Sequence, residues 1–269
     1  MKSFPVLVLA ALLGATTSPV FAATLELSAE VNTVVREIQG KLKEGAHTAK
    51  DLAAEMATFD ALFAAHASEK TDDVARILYL KATLNAEIFD NATEAIALLK
   101  RLKTEFPATQ LASRVDQAVS TLEMQQRFAV GNKFPDFAEV DLQGQPLSVA
   151  KYKGKVVLVD FWATWCGPCL AELPNVVQAY KKLHGHGFEI IGVSLDKADA
   201  KEKLVTFTKE HEMPWVQFYD GKYWENKLVA AYGIRSIPAT FLLDGEGKII
   251  GKDLRGPALE AAVAKALGI

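Results

Sequence analysis

The sequence predicts an all-α segment followed by an α/β sandwich on a mixed sheet. Two observations carry this. From 24 to 128 the chain holds one proline, Pro107, and two glycines, Gly40 and Gly45, with apolar residues at helical spacing. From 129 onward glycine and proline become frequent, and strand-like apolar runs alternate with helical stretches before a hairpin and a closing helix.

Length and charge limit the functions open to the chain. Its 269 residues suit one large domain or two ordinary ones. Lys+Arg is 30 against Asp+Glu 33, a net charge of −3, so no nucleic-acid partner is expected. Two cysteines exclude a disulfide-stapled mini-domain and a four-cysteine zinc site. At the start, Lys2, the apolar run Val6 to Leu13 and the small-x-small site Val20-Phe21-Ala22 read as a secretory signal peptide over 1–22. The alternative is an uncleaved anchor, for which the run is short. The expected location is periplasmic or otherwise exported, where disulfides persist.

The first half, 24–128, reads as a helical domain with helices near 27–44, 49–67, 72–88, 92–105 and 109–128. Leu52, Met56, Phe59 and Phe63 mark one apolar face, Val74, Ile77, Leu78 and Leu84 another, and Ile96, Leu99 and Leu102 a third. Thr71 to Asp73 and Asn91 to Glu94 have the composition of N-caps. Val74 to Pro107 weakly resembles a tetratricopeptide unit through Ala82, Glu94-Ala95 and the closing Pro107. One unit cannot build a solenoid. The two readings are a small helical bundle and a surface that docks another protein.

The second half, 131–269, supplies the sheet. Glu139 to Leu142 and the turn Gln143 to Pro146 read as a hairpin. Lys155 to Phe161 is a continuous apolar run ending in an acid, the pattern of a buried strand, and Phe188 to Leu195 reads as a second buried strand. A third strand is expected over 214–219. Ala239 to Leu243 and Lys248 to Asp253 form a hairpin across Asp244-Gly245-Glu246-Gly247. Helices are expected over 168–183, 198–212, 224–232 and 257–267.

The chemistry sits where the first buried run turns into helix, at Trp165-Cys166-Gly167-Pro168-Cys169. A spacing of three at a helix start puts both sulfurs on one side, close enough to bond. Cys166 would face unpaired backbone N–H groups and the positive end of the helix, which favour the attacking thiolate. Pro168 lies in the first turn, where its missing N–H costs nothing. Cys169, a turn further in, is shielded and placed to resolve a mixed disulfide. A purely structural bridge would close almost no loop and stabilise little. A metal site would need further ligands, and His184, His186 and His211 show no matching spacing. No cofactor and no metal are therefore expected.

The run Gly154 to Cys169, then Glu172-Leu173-Pro174 and Gly233 to Thr240, resembles the thioredoxin superfamily. It most resembles exported thiol-disulfide oxidoreductases of the TlpA/ResA type. The resemblance covers about 131–269 and implies a thioredoxin-like fold, with Cys166 as nucleophile and Cys169 as resolving thiol. It implies that Pro238 is cis, with the Ile237 backbone beside the disulfide. From the residues alone an ordinary trans strand-entry proline stands as the alternative. Trp165, Gly167, Pro168, Ile237 and Pro238 are the expected substrate-binding surface, with Trp162 and Trp165 shaping the rim around Cys166.

Two acids complete the expected site. Asp160 ends a buried strand, where an unpaired carboxylate is costly and holds its proton. The matching acid in thioredoxins handles the resolving cysteine's proton, while many exported relatives carry Asn there. Thioredoxin's neighbouring lysine has no counterpart, since the matching region is Ile191-Gly192-Val193. Glu172 lies three residues past Cys169, on the same helix face, where relatives have a functional glutamate. A structural role is the alternative for both acids. The leading function is reduction of protein disulfides, with a membrane electron donor implied by the family. The rivals are a peroxidase-like activity and a non-catalytic docking or adaptor protein.

Overall fold

A computed structural model describes residues 19–269. It divides into two units, one ending at Leu122 and the other running from Glu123 to Ile269.

In the first unit, α1 spans Pro19–Lys43, α2 Ala53–Ala65, α3 Asp72–Glu87 and α4 Ala92–Glu105. Of the expected signal peptide, residues 1–18 lie outside the described residues. α1 begins well ahead of 27, because Pro19 is tolerated in a first turn and no helix breaker follows before Gly40. α2 begins later than 49, because the Asp51 carboxylate accepts from the His47 and Thr48 N–H groups and ties that segment into a turn. Thr71 Oγ1 accepts from Val74 N, and Asn91 Oδ1 from Glu94 N, so the expected caps of α3 and α4 form. Phe59, Phe63, Ile77, Leu78, Leu102 and Phe106 are buried at the centre of this unit. α5, Val115–Arg127, is preceded by a 3-10 turn over Ala112–Arg114 and runs into the second unit.

The second unit is a thioredoxin-like α/β fold. A small antiparallel hairpin pairs β1, Glu139–Val140, with β2, Pro146–Leu147. The main sheet has β3 (Val156–Trp162) at its centre, with β4 (Phe188–Ser194), β5 (Val216–Tyr219), β6 (Ala239–Leu243) and β7 (Ile249–Lys252) in the order β5-β4-β3-β6-β7. β4 is parallel to β3 and β5, whereas β6 is antiparallel to β3 and β7. The flanking helices are α6 (Gly167–Leu183), α7 (Lys201–Glu210), α8 (Lys227–Tyr232) and α9 (Pro257–Leu267). Every residue of β3 is buried, as a central strand covered on both faces requires. Among the described residues, no helix is long and apolar enough to cross a membrane.

One row across this sheet bears directly on the site. Gln217, Gly192, Asp160 and Thr240 are register partners on β5, β4, β3 and β6. Gly192 leaves room for Gln217, since a Cβ at 192 would meet Gln217 Oε1 at 2.0 Å. That oxygen accepts from the buried Trp162 Nε1 at 2.9 Å.

The second unit also claims residues ahead of 130. Phe128 is 2% exposed, and its ring lies 5.4–6.0 Å from Phe134, Tyr232 and Phe241. A fragment beginning at Glu123 is expected to fold. One beginning at Val130 lacks that ring and is expected to be less stable by about 3 kcal/mol, the usual cost of emptying a buried phenylalanine site. Urea unfolding of the two fragments measures the difference, and equal midpoints would put the boundary at 130 instead.

Candidate active site

β3 delivers the chain to the site, and the end of β4 fixes the turn that follows. Thr164 Oγ1 donates to Asp196 Oδ1 at 2.6 Å, and Thr164 N–H donates to Asp196 Oδ2 at 3.1 Å. Ser194 Oγ donates to the same Oδ2 at 2.8 Å. Trp165 Nε1 donates to the Leu195 carbonyl at 3.2 Å. Asp196 is 1% exposed, so its carboxylate has these protein donors in place of water. Ser194, Leu195 and Asp196 thus hold the turn from beneath.

Cys166 is the N-cap of α6, and its Sγ accepts from Cys169 N–H at 3.1 Å. Gly167 and Pro168 open the helix on the exposed side. The two sulfurs are bonded to each other, S–S 2.05 Å and Cα–Cα 5.2 Å. Exposure does not separate the cysteines as the sequence reading expected. Cys166 is 4% exposed and Cys169 6%. The cis-proline loop accounts for this: the Ile237–Pro238 peptide is cis, and the Ile237 carbonyl oxygen lies 3.7 Å from Cys166 Sγ. What distinguishes the sulfurs is position, Cys166 at the open helix end and Cys169 a turn inside.

Trp162 is buried, but Trp165 is 41% exposed. Its ring lies 4.9 Å from Tyr223 and 6.3 Å from Trp224, so three aromatics form the rim beside Cys166. Tyr223 and Trp224 carry no site signal in the sequence, where Trp224 opens the helix expected over 224–232. His184 and His186 are exposed, away from the sulfurs.

Behind Cys169 a cavity of about 10 Å³ is lined by Asp160, Cys169, Glu172, Pro238, Thr240 and Arg255, among others. It is about the size of one water. Burial pushes the Asp160 carboxyl up to about 7. The positive Arg255 opposes that rise and the Glu172 charge adds to it. Glu172 Oε1 accepts from Gly256 N–H at 2.6 Å, and its Oε2 from Asn175 Nδ2 at 3.1 Å. Arg255 carried no sequence signal, because it lies in the turn between β7 and α9, 86 positions beyond Cys169. Among the described residues, no three His, Cys, Asp or Glu side chains are grouped as metal ligands.

A strand that feeds a Cys-x-x-Cys pair into a helix N-terminus, with a cis-proline peptide against the first sulfur, is the arrangement of thioredoxin-like redox proteins. Comparison with known proteins agrees. The model of the AhpC/TSA family matches residues 130–252. The thiol-disulfide oxidoreductase ResA of Bacillus thuringiensis subsp. konkukian is 31% identical over 132 residues, which are 49% of this chain and 73% of that protein. ResA of Bacillus subtilis is 30% identical over 133 residues, 49% of this chain and 71% of that protein. A crystal structure of the thioredoxin domain of a thiol-disulfide oxidoreductase from Bacteroides vulgatus is 35% identical with a TM-score of 0.47, covering 52% of this chain and 98% of that one. Through its second unit, the chain belongs to the ResA-type thiol-disulfide oxidoreductases.

Proposed function

We propose that this protein is an exported reductase of protein disulfides that works through the Cys166–Cys169 dithiol. The observation that carries the reading is the Cys166 sulfur at the N-cap of α6, accepting the Cys169 N–H beside the cis-proline loop. The helix N-terminus favours a Cys166 thiolate, the species that attacks. It displaces one sulfur of a substrate disulfide, which leaves as a thiolate and takes up a proton. Cys169 then gives its proton to the Asp160 carboxylate and its sulfur attacks Cys166 Sγ, expelling the second substrate thiolate. The substrate gains two electrons and two protons, and the cysteines become the disulfide. An Asp160 carboxyl near 7 takes and returns a proton at neutral pH. Glu172, lining the same cavity, is a second proton-handling group. Trp165, Gly167, Pro168, Ile237 and Pro238 receive the substrate chain around the attacking sulfur.

The sequence of residues 1–22 supports export, and the family supports a membrane donor that returns the disulfide to the dithiol. The helical domain reads first as a small helical bundle, with docking of another protein as the second reading. The dithiol favours disulfide reduction over a peroxidase reading, which needs one attacking cysteine.

The reduced protein is expected to accelerate reduction of insulin disulfides by dithiothreitol. Turbidity from the freed insulin B chain reports the rate, and Cys166→Ala provides the baseline. A wild-type rate no higher than that baseline would end the reductase reading.

A further inference from the structure

We propose that Arg255 is a positioning residue of this site: from the turn between β7 and α9 it fastens the cis-proline loop and supplies the positive charge that faces Asp160. The inference builds on the proposed function, because it concerns the group that takes the proton of Cys169.

The sheet leaves an electrostatic gap beside Asp160. Its register partner on β4 is Gly192, which carries no side chain, and the space above Gly192 is taken by neutral Gln217. Neither of these two positions supplies a cation. On the other side the partner is Thr240 of β6. There Arg255 Nη1 donates to Thr240 Oγ1 at 3.2 Å and to its neighbour Leu254 O at 2.8 Å, while Nη2 donates to Pro238 O at 2.6 Å. One planar guanidinium thus spans the residues on either side of Ala239, from the cis-proline to the strand position beside Asp160.

The groups around Asp160 have distinct tasks. Burial disfavours its charged form, and Glu172 repels it from α6. Arg255 is the charge that acts in the opposite direction, and a guanidinium stays charged at every working pH. Glu172 is occupied by Gly256 N–H and Asn175. Asp253 lies 3.9 Å from Nη2 and is 61% exposed, so it neutralises Arg255 little. The same turn, Asp253 to Gly256, also takes the Thr240 N–H on Asp253 Oδ1. It therefore grips the proline loop, the Asp160 row and Glu172 together.

Two substitutions in the full-length chain separate charge from fork. Arg255→Gln removes the charge, and Arg255→Lys keeps it but loses the planar pair of donors. The Asp160 carboxyl is titrated in each reduced protein by carbon-13 NMR, with Asp160→Asn identifying its signal. Arg255→Gln is expected to raise the Asp160 midpoint by about one pH unit, the usual effect of losing a close opposite charge. The acid limb of insulin reduction should move up with it. Arg255→Lys should leave that midpoint in place and raise KM several-fold at similar kcat, because one ammonium cannot hold Pro238 O and Thr240 Oγ1 together as the two guanidinium nitrogens do. Identical behaviour of the two variants, or an unmoved midpoint in Arg255→Gln, overturns the proposal. If Arg255→Gln does not fold, Arg255→Lys decides alone: a raised KM with the midpoint held supports the assignment, and any other pattern overturns it. The carboxyl titration needs no turnover. A wild-type protein inert toward insulin, with the midpoint shifted in Arg255→Gln, would end the proposed function while leaving the charge assignment in place.

Discussion

Cys169→Ser is expected to leave the protein covalently joined to its substrates, and Cys166→Ser to leave it free. Cys166 sits at the open end of α6 with the Cys169 N–H directed at its sulfur, so its thiolate forms readily and attacks. Once the mixed disulfide exists, only a second thiolate close by can release it, and a serine hydroxyl cannot. Cys169→Ser should therefore accumulate adducts. Both variants should lose insulin reduction to within the dithiothreitol background, a fall of about 10³-fold or more for removal of a nucleophile. Mass spectrometry of each variant, acid-quenched on isolation, reads the asymmetry. Equal adducts on both would contradict the assigned order, and adducts only through Cys169 would reverse it.

Asp160→Asn is expected to make the folded protein more stable at pH 8 and to change it little near pH 4. The sign follows from the raised pKa. In the unfolded chain the carboxyl titrates near 3.8, and in the folded protein at about 7. Between those values the folded state keeps a proton that the unfolded state has lost, so stability falls as pH climbs through the window. Above 7 the penalty is complete, and at 1.36 kcal/mol per unit it approaches roughly 4 kcal/mol. Asparagine does not titrate and escapes it. Guanidinium unfolding at pH 4.5 and 8 checks this, the expected gain at pH 8 being about 2–4 kcal/mol. Parallel pH dependences of the two proteins would show that Asp160 does not carry the buried charge. The same substitution should slow turnover by about tenfold or more, because the Cys169 proton loses its acceptor.

The order of elements was readable in advance because each has a local cause. β3 and β4 are each dominated by apolar residues, and the caps Thr71 and Asn91 stand where helices begin. The Cys-x-x-Cys pair is legible for the same reason, since its chemistry depends on neighbours three residues apart. What escaped notice is what the fold brings together from afar. Asp196 reaches Thr164 across 32 positions, and Arg255 reaches Pro238 across 17. Neither residue type in its local sequence differs from an ordinary surface charge. The aromatic rim was half visible, because Trp165 adjoins the cysteine whereas Tyr223 and Trp224 arrive from another loop. The near-equal burial of the two cysteines was not legible either, since it depends on where the Ile237 loop comes to rest.

The close fit of Gln217 over Gly192 constrains how this protein can diverge. Any side chain at 192 expels the Gln217 amide from its place on the sheet. Trp162 then keeps a buried indole N–H with no acceptor, a loss of about 1–3 kcal/mol. The three positions are therefore epistatic. Either order of change meets the same cost, because shortening Gln217 removes the acceptor of Trp162 just as a side chain at 192 displaces it. A lysine beside Asp160 therefore costs the buried Trp162 hydrogen bond whichever of the two positions changes first, whereas the cation at Arg255 leaves that bond intact.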